Sequence, residues 1–109
     1  MAVKLYRGDT WTRGWELRDA AGNPIDLTGA SARLHVRDAS GSVVISASTT
    51  DGRLTLTPAS GLIYLQVPYA ATGLTPGSYR FDLEVTYANG VRRTYEQNTL
   101  IVLEDVTHD

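Results

Sequence analysis

The chain has 109 residues, 42% of them hydrophobic, and a formal net charge of −2. That length supports one domain over residues 1–109, and the apolar content excludes a disordered chain. The acidic balance argues against a grip on nucleic acid, no apolar run approaches the ~20 residues of a membrane span, and the lack of cysteine excludes disulfides and thiolate zinc sites.

The opening residues Met1–Arg7 lack the apolar region of a signal peptide, so synthesis in a cytoplasm is expected. Trp11–Arg18 reads as the first strand, ended by Ala21-Gly22-Asn23-Pro24. Ala30, Ala32, Leu34 and Val36 then alternate with Ser31, Arg33, His35 and Arg37. Successive Cβ atoms of a strand point to opposite faces, so this segment has one apolar and one polar side. Asp38-Ala39-Ser40-Gly41 is a turn, Val43 and Ile45 mark a third strand, and Leu54 and Leu56 a fourth after Asp51-Gly52. Ala59-Ser60-Gly61 leads into a fifth, Leu62–Val67. The segment from Pro68 to Gly73 is expected to form a single helical turn, with Pro at its start and Gly at its end.

Tyr79, Phe81, Leu83, Val85 and Tyr87 share one face of the clearest strand, and Arg80, Asp82, Glu84 and Thr86 share the other. Asn89-Gly90 is predicted to close a hairpin with both residues at positive φ, leading into a strand over Val91–Leu103. Seven to eight short strands separated by turns define an all-β class: an immunoglobulin-like β-sandwich of antiparallel strands. Tyr79, Phe81, Leu83, Val85, Leu34 and Val36 are the expected core. Tyr79 opens its strand shortly after Pro76-Gly77, the position of a tyrosine corner whose phenol bonds to upstream backbone.

Little in the chain points to catalysis. His35 lies between Arg33 and Arg37, which disfavour an imidazolium and repel a metal. Asp82 and Glu84 share a strand face with arginines as ordinary cross-strand partners. The acids Asp9, Asp19, Asp26, Asp38 and Asp51 stand singly in turns, where Asp bonds its own backbone. Arg92-Arg93 make only a weak basic patch. No catalytic, cofactor-binding or metal-ligating residue is nominated; the expectation is a protein that is not an enzyme and carries no cofactor.

Trp11 and Trp15 are four apart and share one strand face, as core or as a contact surface. Leu100 and Val102 bring an apolar run near the end of the last strand. Trp11, Trp15, Leu100 and Val102 are therefore the candidate interface, and a terminal strand edge could pair with another chain to give a homo-oligomer.

An ordered set of segments carries a family resemblance. Gly8-Asp9-Thr10, Pro24-Ile25-Asp26-Leu27-Thr28-Gly29-Ala30, Val36-Arg37-Asp38, Pro76-Gly77-Ser78-Tyr79 with Asp82-Leu83, and a closing Val106-Thr107 span nearly the whole chain. Together they resemble the N-terminal immunoglobulin-like domain of phage baseplate upper proteins and its small prophage relatives. The resemblance implies a structural role in a phage tail or baseplate, contacts with other tail or baseplate proteins, and residence in the virion after synthesis in the host cytoplasm. The other reading is a ligand-binding β-sandwich, carbohydrate-binding or adhesin-like, with Trp11, Trp15, Tyr64 and Tyr69 as a stacking platform. Exposed, coplanar aromatics favour that second reading.

Overall fold

The computed structural model describes residues 2–104. Eight strands follow in chain order: β1 (Val3–Tyr6), β2 (Trp11–Glu16), β3 (Ser31–Arg37), β4 (Val43–Ser48), β5 (Leu54–Thr57), β6 (Leu62–Val67), β7 (Gly77–Thr86) and β8 (Arg92–Leu103). They form a five-stranded sheet, β1-β8-β7-β3-β4, and a three-stranded sheet, β2-β6-β5. The architecture is the all-β sandwich that the alternation implies. Its strand order is that of an immunoglobulin domain, with β3, β7 and β8 as strands C, F and G, β4 added beside C, and β2, β6 and β5 as B, E and D.

One pairing departs from the antiparallel expectation: β1 runs parallel to β8, Val3 opposite Leu100 and Leu5 opposite Val102. This four-residue strand buries only Leu5, too short a run for alternation to reveal it.

The core is built from the alternating apolar positions of both sheets. Leu34 and Val36 of β3, Phe81, Leu83 and Val85 of β7, Leu100 and Val102 of β8, and Ile63, Leu65 and Val67 of β6 are all buried. Tyr79 is the exception among the expected core residues, because it packs at the rim, partly exposed, with its phenol donating to the Thr75 carbonyl at 2.6 Å. That is the tyrosine corner, and Phe81 two residues later stands where such domains carry the second cysteine of their inter-sheet disulfide. Trp11 of β2 meets Phe81 edge-on, ring centroids 5.5 Å apart at 83°. An aromatic contact thus joins the two sheets in a chain without cysteine.

The turns correct the hairpin expectation. No non-glycine residue has positive φ among the described residues, so Asn89 does not share that role with Gly90. Instead Gly90 N–H donates to Tyr87 O and Tyr87 N–H to Val91 O, a three-residue loop with Gly90 alone at φ 87°. The same device closes Asp38–Ser42, where the Asp38 carboxylate also accepts from the Ser40 and Ser42 amides. The expected helical turn contracts to a 3-10 turn at Tyr69–Ala71, and a second one occupies Pro58–Ser60.

The segment Asp26-Leu27-Thr28-Gly29 has a purely structural account. The Asp26 carboxylate accepts from the Thr28 amide and hydroxyl, Leu27 is driven fully into the core, and Gly29 turns at φ 78° against Ala88. Val106-Thr107 and His108 lie outside the described residues.

Candidate functional site

The outer face of the five-stranded sheet is laid out in rows that cross β3 and β7 and continue onto β8. Arg33 stands opposite Glu84, His35 opposite Asp82, and Arg37 opposite Arg80. On β8, Gln97 stands opposite Asp82 and Thr99 opposite Arg80. The first row is electrostatically closed, since Arg33 donates to Glu84 at 2.9 Å. Arginine partners were expected for Asp82 and Glu84, and among the described residues only Glu84 has one. Arg37 and Arg80 face each other with no ion-pair partner for either among the described residues. Like charges directly opposite across a sheet are destabilising.

These rows floor an open pocket of about 290 Å³, lined by His35, Arg37, Arg80, Asp82 and Gln97, with the Asp38–Gly41 turn forming one wall. Asp38 caps this turn from within, its carboxylate accepting from the Ser40 and Ser42 amides. Arg37 is steadied by donating to the Gly41 carbonyl at 3.0 Å. Its Nη2 lies 3.5 Å from His35 Nδ1, and since Arg can only donate, the imidazole Nδ1 is the acceptor. Burial first, then the charges of Arg33 and Arg37, hold His35 below its ordinary value of 6.5, against the weaker pull of Asp82 and Glu84. The ring is therefore neutral at pH 7. His35 is thus half-buried in a pocket, where the sequence places it on a freely solvated face.

The candidate interface residues are placed otherwise. Trp11, Leu100 and Val102 are 3%, 0% and 2% exposed, so their side chains pack the core and are withdrawn from any surface. Trp15 is partly exposed at the sandwich mouth, where its indole N–H donates to Glu96 at 2.9 Å. Nor do the aromatics form a stacking platform. Trp11 and Trp15 face inward, Tyr64 lies on the outer face of the small sheet opposite Gly14, and Tyr69 sits in the loop after β6. A shallow groove of about 280 Å³ runs beside Tyr64, Leu62 and Gly14.

Two charged residues at the mouth escaped the sequence reading. Arg13, between the tryptophans, donates from Nε and Nη2 to the two carboxylate oxygens of Glu96 at 2.9 and 2.6 Å. Its guanidinium also lies over the rings of Trp15 and Phe81 at 5.7 and 5.8 Å. Burial alone would raise the Glu96 carboxyl; the hydrogen bonds from Arg13, Trp15 and Asn98 and the charge of Arg13 outweigh it and hold it below its ordinary 4.5. With its donors and acceptors satisfied internally, this cluster ties the sheets together and leaves little to offer a ligand.

The fold and this face define a β-sandwich with an open polar pocket on its larger sheet. No family model and no curated protein matches the chain. Solved structures do match, among them CopC from Methylosinus trichosporium OB3b, at a TM-score of 0.57 and 13% identity over 99% of this chain and 89% of that one. The expectation of a phage tail or baseplate structural protein is corrected here: a solved structure that the chain resembles is CopC, and no phage link is shown. At 13% identity the likeness fixes the fold alone. Among the described residues no group of three or more His, Cys, Asp or Glu could hold a metal ion. No helix among the described residues is long and apolar enough to cross a membrane.

Proposed function

We propose that this chain is a non-catalytic ligand-binding β-sandwich module, carbohydrate-binding or adhesin-like, whose site is the pocket on the outer face of β3, β7 and β8. The observation that carries this reading is the grouping of unpartnered polar side chains in one concavity. Arg80, Asp82 and Gln97 make no side-chain hydrogen bond among the described residues, yet they line the same pocket. One row away Arg33 and Glu84 pair with each other, whereas these three side chains keep their donors and acceptors available to a ligand. Its volume of about 290 Å³ is at the lower end of small-molecule sites, which suits one or two sugar rings.

The test is amide chemical-shift mapping of the isotopically labelled chain against a pooled set of neutral and acidic saccharides. Shifts clustered at His35, Arg37, Arg80, Asp82 and Gln97 are expected. Shifts clustered at Gly14, Leu62 and Tyr64 would move the site to the small sheet. A broad glycan panel producing no shift anywhere would end the ligand-binding reading.

A further inference from the structure

Resting on the ligand-binding reading above, we infer that the pocket selects a small polyhydroxylated carboxylate, an acidic sugar, with Arg37 and Arg80 as a two-sided clamp for its carboxylate. Arg37 and Arg80 are directly opposite, and the next row toward the sheet centre holds Asp82 between His35 and Gln97. One end of the pocket is therefore cationic, and the other mixes an acceptor-only carboxylate with an amide that both donates and accepts.

A simple anion satisfies only the first half of that set. A guanidinium presents a planar fork matched to carboxylate or phosphate oxygens, so either anion could bridge Arg37 and Arg80. Asp82 and Asp38 at the pocket wall set the limit. A doubly charged phosphate gains from the two arginines what it loses to the two carboxylates, and its oxygens only accept, so it leaves Asp82 without a donor. Asp82 in turn needs donors, and sugar hydroxyls supply them. Gln97 can donate to one hydroxyl and accept from another. Neutral sugars leave the Arg37–Arg80 repulsion unrelieved; an acidic sugar neutralises it. Arg37 is held ready for this, because its bond to the Gly41 carbonyl fixes the guanidinium against the turn.

The experiment is calorimetric titration of the whole chain at low salt and neutral pH. The probes are galacturonate, glucuronate and N-acetylneuraminate, with galactose, glucose and inorganic phosphate beside them. At least one acidic sugar is expected to bind at least tenfold more tightly than the neutral sugars and phosphate. Arg80→Gln and Asp82→Asn should each weaken that binding at least tenfold, with Arg80→Lys intermediate because it keeps the charge and loses the fork. Melting curves of the three variants check that each is folded. If galactose or glucose binds as tightly as the acidic sugars and Asp82→Asn abolishes it, the pocket remains a ligand site and the carboxylate clamp is wrong. Phosphate binding as tight as that of every acidic sugar overturns the polyol requirement. If no probe binds, the clamp falls, and shift mapping with the wider glycan panel decides separately whether the pocket binds anything.

Discussion

Trp11 and Phe81 meet edge-on across the two sheets, where other immunoglobulin-like domains place a disulfide between strands B and F. A covalent staple acts mainly on the unfolded chain; an aromatic contact acts only in the folded one. This domain's cohesion is therefore carried by packing, and Trp11 is its inter-sheet anchor.

Trp11→Ala is expected to cost about 3–5 kcal/mol, from lost transfer energy and the cavity left behind. Phe81→Ala should cost a similar amount, and the double variant less than the sum, with a coupling of about 0.5–1.5 kcal/mol for the ring pair. Urea melts measure all four corners of the cycle. Strict additivity would mean that the rings contribute area alone.

The pairing of Arg13 with Glu96 links the sheets a second time and sets an acid limit. The Glu96 carboxyl titrates lower in the folded chain than in the unfolded one. Its contribution is thus complete above about pH 4.5 and is lost as pH falls through the depressed folded value. Glu96→Gln should cost about 1–3 kcal/mol at pH 7, since Arg13 and Trp15 lose a charged acceptor. The gap between wild type and variant should shrink steadily below pH 4.5. Urea melts across pH 3 to 7 follow the difference, and a gap independent of pH would refute the linkage.

Gly61 separates two reasons for glycine within one protein. It turns at φ 65°, and a Cβ there would sit 2.6 Å from the Leu17 carbonyl oxygen and 2.9 Å from that of Ile25. Gly90 turns at φ 87° with open space around it. Gly90→Ala should cost about 1–2 kcal/mol, the strain of the left-handed region alone. Gly61→Ala should cost clearly more, because backbone that itself bonds through Leu17 and Ile25 must shift. Equal losses in thermal melts would show that the close approach relaxes freely.

The fold was legible because its long strands alternate cleanly: β3 and β7 announce both faces in Leu34, Val36, Phe81 and Leu83. The same period, carried along β8, sets Glu96 and Asn98 on the side of Leu100 and Val102, and so signals the polar cluster at the mouth; reading that strand only for its apolar end hides it. Trp11-x-Arg13-x-Trp15 held a matching signal, a charge on the aromatic face. The pocket was not legible. It depends on register, which decides that Arg37 meets Arg80 and not Asp82: a one-residue slip would turn Arg37 to the face of Phe81, and a two-residue slip would set it opposite Asp82. Asp26-Leu27-Thr28-Gly29, one of the motifs behind the phage resemblance, is accounted for by backbone chemistry at a corner of the sandwich.

Arg37 and Arg80 are exposed like charges at directly opposed positions, with no carboxylate paired to either among the described residues. Removing one charge should therefore stabilise the empty protein: Arg80→Gln is expected to gain about 0.2–1 kcal/mol at low ionic strength. Most surface substitutions fall near zero, so a reproducible gain is informative. The gain should fade in 1 M salt, where the screening length drops to about 3 Å. Arg33→Gln should move the other way, since it breaks the bond to Glu84 one row along. A side chain that weakens the fold yet remains in a pocket is the pattern of a site organised for binding. Urea melts of the wild type and both variants at two salt concentrations provide the comparison. A loss on Arg80→Gln, of the same sign as the loss on Arg33→Gln, would show that the two arginines do not repel and would remove the electrostatic ground for an anionic ligand.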